Sequence, residues 1–379
     1  MASKVKILFG LEAGDAGALK HLVSLACGLN SERFSITVIL SPARSSRVFK
    51  EIDKMTSAGI NVLLFSMASK VAMVKDIRLI RKLTSHLQEN RYDIVHAHSS
   101  KAGLTFRIAA RLAKIDNIIY TPHCFYFQGK TGFRLWVFSL AERVLGRFTT
   151  KLIVSSNEEL WARKQHIVSS EKLTVIQNAI QPDEYRPAIT REEIKEKFEI
   201  PAHCLVVGGV GRLSKQKDWK TFICAAREVL LQHKDLVFVI AGDGELFKQL
   251  ESLITDLALK QRVMLLGHVE EMRNVYPLFD IFVSSSLWEG LPYSLLEAMH
   301  FKLPVIASDI GYADILVDQY NALLYRPKDH MQLAEMIMTL IENPSYRERL
   351  AEHAYASRCD FEFSRFIEAH EKLYLSLSN

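Results

Sequence analysis

Short apolar, β-branched runs alternate with amphipathic stretches along almost the whole of this chain. That alternation restricts it to parallel sheets joined by crossover helices. In the first half, strands are read near 5–11, 36–40, 62–65, 94–96, 117–121, 152–155 and 174–176. Helical periodicity falls between them, near 18–28, 77–88, 102–113, 134–145 and 158–165. The pattern breaks at Gln177-Asn178-Ala179-Ile180-Gln181-Pro182-Asp183-Glu184-Tyr185-Arg186-Pro187, a proline-bearing linker. It then restarts, with strands near 204–209, 237–241, 263–266, 281–284 and 305–307 and helices near 219–231, 246–259 and 289–297. The expected class is α/β, two tandem doubly wound parallel-sheet domains facing across a cleft. The expected domains are 1–185 and 186–358, with 359–379 a C-terminal helix that crosses back to the first.

With 379 residues, 49% hydrophobic and 24% charged, the chain can bury two cores without covalent staples. Its five cysteines are scattered and include no Cys-x-x-Cys, so neither a disulfide framework nor a zinc site is expected. The N-terminus runs directly into a strand, and no stretch approaches about 20 uninterrupted apolar residues. A cytoplasmic protein is expected. Its net charge of +5 is unevenly spread: residues 1–185 hold 26 Lys and Arg against 15 Asp and Glu, and residues 186–379 hold 22 against 28. Residues 70–151 alone carry 15 basic and 5 acidic side chains. A segregated basic region implies an anionic partner. No recognised nucleic-acid module accompanies it, so a membrane surface or phosphorylated lipid is expected and nucleic acid is not.

Ligands of open parallel sheets bind beyond the carboxyl ends of the strands, and the chemically suggestive residues cluster there. Two carboxylates, Glu289 and Glu297, flank Gly290-Leu291-Pro292 and an apolar run. Pro292 suits the first turn of a helix, which puts Glu289 in the preceding loop and Glu297 about a turn and a half inside. The helix start between them offers unpaired N–H groups to an anion. Gly211 with Arg212 and Lys217 follows an earlier strand, a guanidinium and an ammonium matched to a diphosphate. Gly242-Asp243-Gly244 and Gly267-His268-Val269 close the next two strands. In the first half, Gly14-Asp15-Ala16-Gly17 stands between strand and helix, without the Gly-x-Gly-x-x-Gly spacing of a dinucleotide site. His96, His98 and His123 stand at strand ends. His96 and His98 have the spacing of a metal pair, but no third ligand is evident. Asp-x-Asp is absent, so no metal is expected.

Together these segments resemble the retaining, metal-independent glycosyltransferases of two-Rossmann, GT-B architecture that carry a Glu-x7-Glu motif. The carriers are Gly211-Arg212-Leu213-Ser214 with Lys217, Ala241-Gly242-Asp243-Gly244, Leu266-Gly267, residues 286–299, and Pro304-Val305-Ile306-Ala307-Ser308-Asp309. His96-Ala97-His98-Ser99-Ser100-Lys101-Ala102-Gly103 and Thr121-Pro122-His123 resemble the subset that builds bacterial exopolysaccharide and lipopolysaccharide. The resemblance implies that Glu297 binds the ribose and that Arg212 and Lys217 hold the diphosphate. It further implies that Glu289 meets the donor sugar, with Gly290, Leu291 and Pro292 supporting it. Gly14, Gly17, Gly211, Gly242, Gly267 and Val269 would line the donor, and His123 would lie near the transferred sugar. The expected reaction moves a hexosyl group from a nucleotide-sugar, with a UDP-sugar as the expected donor, to a lipid-linked or saccharide acceptor. No cofactor is implied. Phe125, Phe127, Phe133, Arg134 and Trp136, before and within a helix bearing Arg143 and Arg147, are expected to meet the acceptor and the inner face of the cytoplasmic membrane. Two alternatives are a sugar-nucleotide 2-epimerase of the same architecture, which lacks a Glu-x7-Glu element, and a non-enzymatic sugar-nucleotide-binding protein.

Overall fold

The computed structural model describes residues 3–12, 17–41, 46–68, 72–312 and 315–378. It divides into two compact units, Met1–Asn178 with Ser364–Asn379, and Ala179–Phe363. The first holds β1 (Val5–Leu11), α1 (Gly17–Gly28), β2 (Phe34–Leu40), α2 (Ser46–Ser57), β3 (Asn61–Leu64), α3 (Met73–Asn90) and β4 (Ile94–His98). It continues through α4 (Ser100–Leu112), β5 (Asn117–Thr121), α5 (Gly132–Gly146), β6 (Lys151–Val154), α6 (Ser156–Lys164) and β7 (Leu173–Val175). The second unit runs α7 (Arg191–Lys197), β8 (Leu205–Val210), α8 (Trp219–Gln232), β9 (Leu236–Ala241), α9 (Phe247–Asp256), β10 (Val263–Gly267) and β11 (Ile281–Ser284). Then come α10 (Tyr293–His300), β12 (Val305–Ser308), β13 (Leu323–Tyr325), α11 (His330–Glu342) and α12 (Pro344–Ser357). The last helix, α13 (Phe363–Ser378), belongs almost wholly to the first unit.

Both sheets are parallel throughout and doubly wound. The first has the order β3-β2-β1-β4-β5-β6-β7 and the second β10-β9-β8-β11-β12-β13. Burial on both faces explains why the strands read as continuous apolar runs. Along β9, Val237, Val239 and Ala241 enter one core of the second unit, while Leu236, Phe238 and Ile240 enter the other. In β4 the same two-residue period has a chemical consequence. Val95 and Ala97 join the apolar core with Leu8, Phe106 and Tyr120, so His96 and His98 point to the opposite face. Phe9, His21 and the α13 residues His370 and Tyr374 surround them there.

Three elements went unread in the sequence. In α2, Val48 and Met55 are fully buried and Ile52 half-buried, an i, i+4, i+7 stripe that the sequence reading passed over. The seven residues of α7 are announced instead by the capping box of Thr190 and Glu193. β13 is three residues long. Pro182–Tyr185, read as linker, forms a 3₁₀ turn of the second unit, with Tyr185 buried in its core.

Candidate functional site

At the carboxyl ends of β8, β9 and β10 the backbone is tied into one platform. Gly211 N–H donates to Ala241 O (3.0 Å), Gly242 N–H to Gly267 O (2.9 Å) and Leu213 N–H to Asp243 O (2.9 Å). The glycines make this approach possible. A Cβ on Gly242 would lie 2.0 Å from Gly211 O, and one on Gly211 would lie 2.8 Å from Lys217 Cε. Gly267 turns the chain in the left-handed region at φ 67°, and Val269 packs partly buried against the core.

The loop after β8 is held to the loop after β11. Ser285 Oγ donates to Lys217 O (2.6 Å), Leu287 N–H to Gln216 O (2.7 Å) and Gln216 Nε2 to Trp288 O (2.9 Å). Trp219 Nε1 donates to Arg212 O (2.9 Å), fixing the backbone beneath an exposed Arg212 side chain. In this frame Lys217 Nζ lies 2.7 Å from Glu289 Oε1, with both side chains mostly buried. Ser286 Oγ donates to the same carboxylate oxygen (2.9 Å), and Ser308 Oγ donates to Ser286 O. An ammonium at this depth keeps its charge at least cost when a carboxylate and a hydroxyl surround the pair.

The helix carrying the second carboxylate starts one residue later than expected. α10 begins at Tyr293, and Pro292, placed in the first turn from sequence, is its N-cap with φ −72° and ψ 134°. The fixed proline φ suits either position, and the extended ψ decides for the cap. Glu297 lies a turn and a half inside, as read. It is buried, accepting from Tyr185 Oη at Oε1 (2.6 Å) and from Tyr276 Oη at Oε2. These two hydroxyls orient the carboxylate. Burial, and next the Glu297 charge, raise the Tyr276 and Tyr293 hydroxyls above their ordinary value, so both stay neutral. Gly290, Leu291 and Pro292 are buried between the two carboxylates. The serines and tyrosines escaped sequence reading. The run Ser284-Ser285-Ser286 at a strand end was a usable signal for the former, whereas nothing local marks Tyr185 or Tyr276.

In the first unit, Gly14 lies outside the described residues, and Gly17 is the first residue of α1. His123, at φ 51°, stacks on His98 (5.3 Å, 18°) with its Nε2 3.0 Å from His98 Nδ1. His96 and His98, which have the spacing of a metal pair, have different partners. His96 is bonded at both nitrogens, to Tyr374 Oη and Thr121 Oγ1 (2.8 Å each), while His98 meets His21 and His123.

Of the expected surface aromatics, Phe125 and Phe127 are core residues. They stack on each other at 4.9 Å, and Phe127 leans on Trp161, because the turn before α5 folds its alternate side chains inward. Phe133 (76% exposed) and Trp136 (55%) do face outward, stacked at 5.8 Å, with Arg134 exposed beside them and Val137, Leu140 and Val144 continuing the strip. Arg143 donates to Gln165 O. Among the described residues no helix is long and apolar enough to cross a membrane.

Residues 190–357 match the family model of glycosyl transferases group 1, and residues 16–184 match that of Glycosyltransferase Family 4. The UDP-Gal:alpha-D-GlcNAc-diphosphoundecaprenol alpha-1,3-galactosyltransferase of Escherichia coli is 36% identical over 272 residues, covering 70% of each chain. The capsular polysaccharide biosynthesis glycosyltransferase CapM of Staphylococcus aureus is 26% identical over 322 residues, 81% of this chain and 83% of that one. The crystal structure of Anabaena HepE in complex with UDP and glucose superposes with a TM-score of 0.84 at 23% identity, covering 98% of this chain and all of that one. Two parallel, doubly wound units of this order, the platform at the carboxyl ends of β8–β10 and both family matches lead to one assignment. The chain belongs to the group 1, family 4 glycosyltransferases and has their GT-B fold.

Proposed function

We propose that this glycosyltransferase moves a hexosyl group, with retention, from a UDP-sugar to a lipid-linked or saccharide acceptor in the synthesis of cell-surface polysaccharide or lipopolysaccharide. The observation that carries the reading is the Lys217–Glu289 pair, held beneath the exposed Arg212 at the carboxyl ends of β8 and β11. The nucleotide and the lipid-linked acceptor are supported by the name of the Escherichia coli relative, and polysaccharide synthesis by that of CapM.

In the reaction, the bond from the anomeric carbon to the diphosphate oxygen breaks. The acceptor hydroxyl forms the new glycosidic bond on the same face, and its proton passes to the departing diphosphate. Negative charge grows on that diphosphate while the sugar approaches an oxocarbenium ion. Arg212 and Lys217 supply the opposing charge without a metal at the phosphates. Glu289 first holds Lys217 in place, then meets the hydroxyls of the donor sugar. Glu297, oriented by two tyrosines, takes the ribose hydroxyls. His123 donates to the transferred sugar through Nδ1, the ring nitrogen turned away from His98. Gly211, Gly242, Gly267, Val269 and residues 290–292 give the donor its walls. The outward strip of Phe133, Trp136 and Arg134 rests on the anionic inner face of the cytoplasmic membrane, where lipid-linked acceptors are presented.

Losing one donor aimed at developing charge costs about 2.7–4 kcal/mol. Arg212→Ala and Lys217→Ala are therefore expected to lower turnover by roughly a hundredfold or more, with melting temperatures near wild type. Near-wild-type turnover in both variants rejects the proposal.

A further inference from the structure

We propose that His21, His98 and His123 form a binding site for one divalent transition-metal ion in the first unit. One ligand nitrogen from each of the three rings lies within 4.8 Å of the others. They come from three separate elements: α1, the end of β4, and the turn after β5. The inference does not rest on the transfer reaction, and it revises the expectation of a chain without metal.

Hydrogen bonding identifies the lone pairs. His21 Nδ1 lies 2.9 Å from Asn178 Oδ1, an atom that only accepts, so Nδ1 carries the proton and Nε2 bears a lone pair. That Nε2 is buried and has no hydrogen-bond partner. His98 Nε2 is likewise buried without a partner, so the His98 proton sits on Nδ1 and is donated to His123 Nε2 at 3.0 Å; on binding, the ion replaces that proton at the His123 Nε2 lone pair. Buried nitrogens are rarely left unpartnered, and two of them, His21 Nε2 and His98 Nε2, belong to rings whose ligand nitrogens gather within 4.8 Å. His96, although it touches His98, is excluded because both its nitrogens are bonded.

The surroundings suit the ligand form. Burial is the largest cause that keeps all three rings well below the usual histidine range, so they are neutral near pH 7, as metal ligands must be. Asn178 supplies the outer contact that commonly fixes the tautomer of a metal-bound histidine. An all-imidazole set selects zinc, cobalt, nickel or copper over magnesium or calcium, which require oxygen ligands. At metal–nitrogen distances of about 2.0–2.1 Å, tetrahedral ligand atoms stand roughly 3.3 Å apart, so binding draws the rings closer by small side-chain rotations.

The test uses the full chain, stripped by chelator and titrated with Co²⁺ under its visible absorption, then with Zn²⁺ against a chromophoric chelator. The expected result is one ion per chain with the intense spectrum of a four-coordinate cobalt site. Affinity should fall at least about tenfold in His21→Gln and His98→Gln, and about ten- to a hundredfold in Asn178→Leu, which spares all three ligands. His203→Ala, at an exposed histidine of the second unit, should bind as wild type. Circular dichroism checks each fold, and if a ligand variant fails to fold, the wild-type cobalt spectrum and Asn178→Leu decide. A wild-type spectrum no different from aqueous cobalt overturns the site. So does binding unchanged in His21→Gln and His98→Gln, or lost equally in His203→Ala.

Discussion

Acid should unfold the first unit through its buried histidines before it affects the second. Burial lowers His21 to about 4 and His370 to about 3 from the ordinary 6.5. His96, His98 and His123 are displaced in the same direction, first by burial and then by neighbouring imidazoles. In the unfolded chain these rings titrate near 6.5, so below that pH the unfolded state takes up protons that the folded state refuses. Stability is therefore full above about pH 6.5 and falls as pH drops toward the folded values. By about pH 5, His21 and His370 each cost roughly 2 kcal/mol, together about 4 kcal/mol. That is a large share of a native stability of about 5–15 kcal/mol. Urea unfolding of the chelator-treated protein at about pH 7.5, 6 and 5, followed by hydrogen exchange, measures both the size and the place of the loss. Peptides from α1, β4 and α13 should lose protection before those from β8 to β11. An unfolding free energy that is flat over this range, or histidine NMR titrations near 6.5 for these rings, refutes the reasoning.

Arg107 is fully buried, with Nη2 2.7 Å from Glu142 Oε2. Glu142→Gln should cost about 3–5 kcal/mol in urea unfolding by stranding the guanidinium, and an unchanged midpoint contradicts this. On the surface, Phe133→Ser combined with Trp136→Ser should weaken sedimentation with anionic vesicles at least tenfold, given about 1.5–3 kcal/mol per buried large apolar side chain. Equal binding by variant and wild type removes α5 as the contact. Gly211→Ala pushes a methyl against Lys217 Cε and should lower turnover by about tenfold to a hundredfold with little change in melting. Wild-type turnover in that variant means Lys217 tolerates displacement.

Much of the architecture was legible because parallel strands buried on both faces announce themselves as apolar runs. β1, β5 and β11 were read to the residue, and α8 to within one. Of the site, Arg212, Lys217, Glu289 and Glu297 stood out because each follows a strand or opens a helix. What holds them did not. Tyr185 reaches Glu297 from 112 residues away and Tyr276 from 21, and no local period encodes such meetings. Phe125 and Phe127 misled because aromatics beside cations resemble an interfacial belt, yet only burial distinguishes a core pair from a surface one. His21 was invisible for the same reason: in sequence it is one polar residue on an apolar helix. It gains meaning only when β4 turns His98 toward it and away from the apolar core.

The central claim is that the second unit binds a nucleotide sugar through its two carboxylates and two cations. Calorimetric titration of UDP-sugars and GDP-sugars into the wild type and into Glu297→Ala, with the variant's fold verified by melting, tests it most directly. A UDP-sugar should bind the wild type and bind Glu297→Ala at least about tenfold more weakly, the loss of one charged hydrogen-bonding group. No nucleotide sugar bound by the wild type, or equal affinity in the two proteins, contradicts it.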